Sequence, residues 1–235
     1  MTPNWADLEA VRPSERDNCF RAEQRIGRDS LLVLYAGNMG RKQGLEVVLE
    51  AAAHLAGDER LRFLLAGDGA ARGDLERRAG ELGLRNVRFL PVQPAERLGE
   101  MFAAGDIHLV VQRAEAADLV MPSKLSNILA AGRASVVTAE PETELYRVVA
   151  GNGLGVACAP DDGAALAAAI RRLADDGALR DEAGRRARAY AERHLDRDRI
   201  LLAFEARLAE LVSGVGPDRD RAQAGAADRR RMGGD

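Results

Sequence analysis

The chain has 235 residues, 46% hydrophobic and 30% charged, with a formal net charge of -3. That suits a soluble globular protein of one large or two small domains and excludes a general basic footprint for nucleic acid. Aromatic residues make up only 4%, too few for a base-stacking platform.

The predicted elements run in order. Residues 1–30 are polar with weak periodicity and read as a linker-like lead-in rather than a domain. Residues 31–36, 61–66, 87–90 and 107–111 are short, nearly continuous apolar runs, the pattern of strands covered on both faces. Between them, Leu45, Val48, Leu49 and Ala52, then Leu75, Ala79 and Leu82, recur at helical spacing, and residues 94–103 form a short helix. A helix from Pro122 to a stop at Gly132 follows, then a strand over 135–138, a helix over 142–149 and a last strand over 153–157. Helices over 164–173, 179–190 and 200–212 complete the ordered part; from Ser213 on, Gly, Asp and Arg alternate without an apolar period, so 213–235 reads as a disordered tail. Strands alternating with helices predict an α/β fold, a Rossmann-like parallel sheet with helices on both faces plus C-terminal helices.

The stretch that organises the rest is Pro122-Ser123-Lys124-Leu125-Ser126-Asn127. Pro suits a first helical turn and Ser can accept a bond from a free backbone N–H. Ser123 and Lys124 thus sit at a helix N-terminus near the carboxyl end of a strand, where free N–H groups and the helix dipole favour an anion. The bland alternative is an ordinary cap with a solvated lysine. The first turn, Gly37-Asn38-Met39-Gly40-Arg41-Lys42-Gln43-Gly44, lets backbone approach a phosphate that Arg41 or Lys42 could neutralise. Its spacing is not the G-x-G-x-x-G of nicotinamide and flavin sites. Gly67-Asp68-Gly69 reads as turn chemistry before ribose binding.

Other signals exclude chemistry. His54, His108 and His194 do not cluster, and no catalytic triad or metal site is readable. Cys19 and Cys158 are far apart in no ligand pattern, which points to a reducing compartment. The N-terminus, Met1-Thr2-Pro3-Asn4-Trp5, lacks the order of a signal peptide, and no stretch is apolar for long enough to span a bilayer.

Residues 35–46, 67–69, 122–133 and 138–145 together resemble the nucleotide-sugar-binding half of the GT-B glycosyltransferases of family 4, within them the WcaI-type colanic-acid biosynthesis subgroup. The resemblance covers roughly residues 4–212. It implies one half of a GT-B fold and a retaining, metal-independent glycosyl transfer from a nucleotide-diphosphate sugar, with no cofactor and no metal. The transfer would be hexosyl or fucosyl, to a lipid-linked or glycan acceptor in exopolysaccharide synthesis. It implies catalytic roles for Lys124, Lys42 and Arg41. Donor contacts fall at Gly37, Asn38, Gly40, Phe89, Leu90, Asp118, Ser123, Leu125 and Asn127. Where many members carry two glutamates around the central helix, this sequence has Asp118 and Asn127; the usual Arg of the first turn is matched by Asn38.

The acceptor-binding half of such enzymes has no counterpart here. The chain is therefore expected to be a fragment, a truncated gene product, or one half of a split enzyme, inactive until an N-terminal half is supplied in cis or in trans. The expected location is cytoplasmic or peripheral at the inner membrane. A binding-only module and a nicotinamide-binding oxidoreductase domain are the alternatives. The helix over 200–212 carries more apolar residues than one face needs, Ile200, Leu201, Phe204, Leu208 and Leu211 among them; in the family this region crosses back to the first domain.

Overall fold

The computed structural model describes residues 4–116 and 121–212. Residues 4–196 form one compact unit, and the helix that follows belongs to a second. The first unit is built on a six-stranded parallel sheet: β1 (Leu31–Ala36), β2 (Leu61–Ala66), β3 (Val87–Leu90), β4 (Ile107–Val110), β5 (Ala134–Thr138) and β6 (Gly155–Cys158). The spatial order is β3-β2-β1-β4-β5-β6. The order reverses between β1 and β4, which makes their carboxyl ends the place where a doubly wound sheet opens a crevice.

The strand sequences explain the layers. Along β1, Leu31, Val33 and Tyr35 point to one core and Leu32 and Leu34 to the other, as period-two alternation requires. The first core is closed by α2 (Glu46–His54), α3 (Arg72–Glu81) and α7 (Gly163–Asp175). The second is closed by α4 (Leu98–Ala104), α5 (Ser123–Ala130), α6 (Glu144–Val149) and α8 (Gly177–His194), with Phe20 of α1 (Cys19–Glu23). The expected fold class, a Rossmann-like sheet with helices on both faces, is the one observed.

Part of the lead-in packs into this unit. Ala6 N–H donates to Leu195 O at 2.8 Å, and Ala6, Val11 and Phe20 are buried. Arg21, only 2% exposed, donates to the carbonyls of Ala104, Gly27 and Ser30 and to Asp106.

Several boundaries differ from expectation. The last strand begins at Gly155 rather than 153, because Leu154 N–H still bonds Val149 O and closes the end of α6. Helix α6 begins at Glu144 rather than 142: Thr143 caps it, its Oγ1 accepting from Tyr146 N–H. Residues 94–103 split into a 3-10 turn, Ala95–Arg97, that runs into α4. Ser123 is not a cap. Pro122 occupies the cap position without a side-chain bond and Ser123 is the first helical residue.

The second unit holds α9 (Arg197–Val212), whose Leu201, Phe204, Leu208 and Leu211 are exposed. No helix among the described residues is long and apolar enough to cross a membrane. Asp118 and the tail 213–235 lie outside the described residues.

Candidate functional site

A cavity of about 860 Å³ lies over the carboxyl ends of β1, β2 and β4. Its floor is made of glycine backbone. Gly37 has φ 147 and Gly67 has φ 153, and a Cβ on Gly67 would stand 1.9 Å from the Gly37 carbonyl oxygen. Only glycine fits so close a backbone approach. The two turns are also laced together: Gly37 N–H donates to Ala66 O at 2.9 Å and Met39 N–H to Asp68 O at 2.7 Å. Asp68 spends one carboxylate oxygen on Gly69 N–H at 2.7 Å, the turn chemistry expected, and also lines the cavity.

Lys124 reaches this floor from α5. Its Nζ donates to Tyr35 Oη at 2.8 Å and stands 4.2 Å from the ring centroid. Tyr35 Oη in turn donates to Asn38 O at 2.6 Å. Burial pushes the Lys124 ammonium down to about 8 and the Tyr35 hydroxyl well up from its ordinary value. Because no side chain caps α5, the first N–H groups of the helix, at Ser123 and Lys124, keep their dipole facing the cavity.

Lys42, in a 3-10 turn over Arg41–Gln43, also lines the cavity. Arg113 holds that turn, donating Nε–H to Arg41 O at 3.1 Å while pairing with Glu46 at 3.2 Å. Thr138 at the end of β5 pins the loop after β4: its Oγ1 accepts from Gln112 N–H and donates to Gln112 O. Among the described residues, Gln43 Oε1 and Gln112 Nε2 find no hydrogen-bond partner; both residues line the cavity.

The structure therefore gathers Gly37, Asn38, Lys42, Ser123, Lys124 and Asn127 around one cavity. It does not bring Arg41 or Gly40 to the lining. Of the two basic candidates in the first turn, Lys42 is the one at the cavity. Leu125, expected at the donor, is instead a core residue packed beneath α5. Phe89 and Leu90 sit in β3 and are not on the lining, although Leu90 O accepts from Gly67 N–H at 3.0 Å; the lining takes Val92 and Gln93 from the loop beyond. The side chain that sequence reasoning missed is Trp5, half exposed on the lining, to which Leu98, Met101 and Phe102 also contribute. Its sequence signal was only a lone Trp in a polar segment.

Of the three histidines, His54 and His194 are exposed and none lines the cavity. His108 is buried, its Nε2 2.9 Å from Phe102 O, and burial first, then Arg133, pushes its imidazole down to about 4. No group of His, Cys, Asp and Glu among the described residues could hold a metal ion.

A doubly wound α/β domain with its pocket at the switch point is the class that fold and site define. The particular family follows from the sequence: the chain belongs to the glycosyl transferases group 1, whose family profile matches residues 17–190. It is 41% identical over 206 residues to a protein of Escherichia coli (strain K12) that is provisionally named colanic acid biosynthesis glycosyl transferase WcaI, covering 86% of this chain and 49% of that one. The chain spans about half the length of the curated relatives it matches. Solved structures share the fold. Sucrose-phosphate synthase from Thermosynechococcus elongatus aligns with a TM-score of 0.79 at 24% identity, over 91% of this chain and 52% of that one. Anabaena HepE, solved in complex with UDP, aligns with a TM-score of 0.76 at 17% identity, over 88% of this chain and 56% of that one.

Proposed function

We propose that the cavity binds the nucleoside diphosphate of a sugar donor and that the domain serves a retaining, metal-independent glycosyl transfer. The observation that carries this reading is the Lys124 ammonium held over the Gly37 turn, with Lys42 on the lining of the same cavity. Two cations, free helix N–H groups and a glycine floor suit two phosphates at once. As the diphosphate leaves, its oxygens gain charge, and fixed donors aimed at them lower the barrier. Lys124, Lys42 and the N–H groups of Ser123 and Lys124 take that role. Asn127 contacts the ribose, the backbone beyond β3 frames the base, and Asp118 contacts the sugar hydroxyls.

HepE, which shares the fold, was solved with UDP, and the 41% identical relative carries a colanic acid biosynthesis name. The first supports a nucleoside diphosphate as the ligand, and the second supports a cell-surface glycan as the product; we place the reaction at the cytoplasmic side of the membrane as part of the same proposal. The acceptor and its hydroxyl are supplied by an N-terminal half in cis or in trans, which also covers the apolar residues of α9. Alone, this domain binds donor and does not transfer.

Calorimetry with UDP, GDP and NAD tests the reading. A nucleoside diphosphate should bind, with unchanged affinity in EDTA, and NAD much more weakly. Tight NAD binding without diphosphate binding would favour the oxidoreductase alternative. Sugar transfer to a lipid-linked acceptor by this chain alone would overturn its dependence on a second half.

A further inference from the structure

The geometry points to Tyr35 as a positioning residue, whose hydroxyl holds the Lys124 ammonium over the end of β1 and aims it at the phosphates. This deepens the diphosphate reading and rests on it.

Tyr35 belongs to one core of the sheet and α5 to the other. Their contact bridges the two faces at the switch point. A tyrosine hydroxyl has one proton, and here it goes to Asn38 O at 2.6 Å. The oxygen can then only accept from Lys124 Nζ, at 2.8 Å. The ring lies under the same nitrogen, 4.2 Å away, and adds a cation–π attraction. Gly37 leaves the space on the other side: a Cβ there would stand 3.3 Å from Lys124 Cε and 3.4 Å from Nζ. Lys124 is thus gripped along its last bond, with its remaining N–H groups left for a ligand.

The grip matters because burial works against the charged form of Lys124, pushing it down to about 8. The same burial keeps the Tyr35 hydroxyl protonated, so it stays a neutral acceptor. The other titratable groups on the described lining are Lys42, from the turn after β1, and Asp68, from the loop after β2, whose carboxylate already takes Gly69 N–H. Neither is bonded to Lys124 Nζ, so the hydroxyl is the neighbour that fixes the ammonium. Of the 34 Lys and Arg residues, Lys42 and Lys124 are the only lysines, and both line this cavity. Everywhere else the basic side chain is a guanidinium. The site alone uses the compact ammonium, a point charge that needs a neighbour to hold it.

The test is a double-mutant cycle read by calorimetry with UDP and inorganic pyrophosphate, using the whole chain. Tyr35→Phe should weaken both ligands about tenfold, the loss expected from one hydrogen bond to a charged group. In a Lys124→Ala background, Tyr35→Phe should change nothing further. Because there are two lysines, labelled lysine gives two side-chain NMR signals, and Lys42→Arg leaves that of Lys124. Its titration should move to lower pH in Tyr35→Phe. In the unsubstituted protein, its ε-methylene protons should be shifted upfield by the ring, a readout that needs no variant at Tyr35. An equal loss of affinity in the Lys124→Ala background, or an unshifted ε-methylene signal, overturns the inference. Failure of the unsubstituted chain to bind UDP, GDP or pyrophosphate overturns the diphosphate reading and the aim of Lys124 with it. Binding by the unsubstituted chain with Tyr35→Phe unaffected overturns this inference alone.

Discussion

At the amino ends of the strands, a cavity of about 800 Å³ is lined by arginines, among them Arg16, Arg133 and Arg188, around Asp106. At the carboxyl ends, the cavity of about 860 Å³ has Lys42 and Lys124. The arginines are committed. Arg16 and Arg21 hold Asp106 at 2.6 and 2.9 Å, Arg133 donates to Ser14 O at 2.7 Å, and Arg188 donates to Ala130 O at 2.8 Å. Arg16, Arg21 and Arg133 fasten the lead-in to residues just before β4 and β5, and Arg188 fastens α8 to the end of α5. The lysines are different: among the described residues, neither is ion-paired. Positive charge at one end is a set of staples, and at the other it faces an open cavity. A forked guanidinium can satisfy several carbonyls at once, whereas an ammonium leaves donors over.

Removing the centre of the stapled end should have the largest effect. Asp106 is buried and takes Leu32 N–H, Arg16 and Arg21 together. Asp106→Ala leaves Arg21 buried without its carboxylate, which should cost about 3–5 kcal/mol in urea unfolding. UDP affinity of the folded fraction should stay the same. A loss of affinity with little loss of stability would break the division between the two ends.

His108, the second residue of β4, lines neither cavity but sets a pH limit on the stapled side. Its folded value of about 4 lies below the ordinary imidazole value. Between about pH 6.5 and 4 the unfolded chain takes a proton that the folded chain refuses, so stability rises with pH there. The contribution is complete above about 6.5 and is lost as pH falls to 4, up to about 3 kcal/mol. Urea midpoints across that range should be flatter in His108→Gln. An unchanged slope would place the acid sensitivity elsewhere.

At the open end the expected loss is smaller and falls on binding. Lys124→Ala should weaken UDP binding by about 1–3 kcal/mol. Melting should hardly move, because the lysine is held where burial already disfavours its charge. In the unsubstituted protein the ammonium is the binding form, so affinity should decline as pH rises through about 8. Lys124→Ala should remove that decline. A sharp drop in melting temperature would make Lys124 a staple like the arginines.

What the sequence revealed follows the same division. The strands were readable because residues 31–36 and 61–66 are apolar runs buried on both faces. The start of α5 was readable in place but not in detail. Ser123 looked like a cap, yet Pro122 takes that position and leaves the serine inside the helix. Leu125 fell within the motif, but helical geometry turns it into the core. Tyr35 was one more apolar letter of a strand. Nothing local reports that its hydroxyl meets a side chain 89 residues away. Arg41 and Lys42 are adjacent and chemically alike; only the geometry of their 3-10 turn separates the one at the cavity from the one outside it.

The smallest expected effect concerns Trp5, and it gives the comparison its most direct reporter. Trp5 is the only tryptophan of the chain. It is 49% exposed and lines the carboxyl-end cavity together with Val92 and Lys124. Although near the terminus, it is held on both sides. Asn4 Nδ2 donates to Met121 O at 2.8 Å, just before α5, and Ala6 N–H donates to Leu195 O at 2.8 Å. An indole fixed on the lining senses a ligand that displaces its water, and its emission should change on titration with UDP. Trp5→Phe keeps an apolar side chain there and should weaken binding by less than about 1 kcal/mol, since an exposed aromatic gains only part of its burial. Lys124→Ala should move the midpoint of the fluorescence titration by the same factor that calorimetry reports. The cavity at the amino ends has no tryptophan on its lining, so a ligand bound among the arginines would leave the emission as it was. Calorimetric binding of UDP with silent Trp5 fluorescence would therefore place the ligand at the stapled end, against every expectation drawn from Lys124.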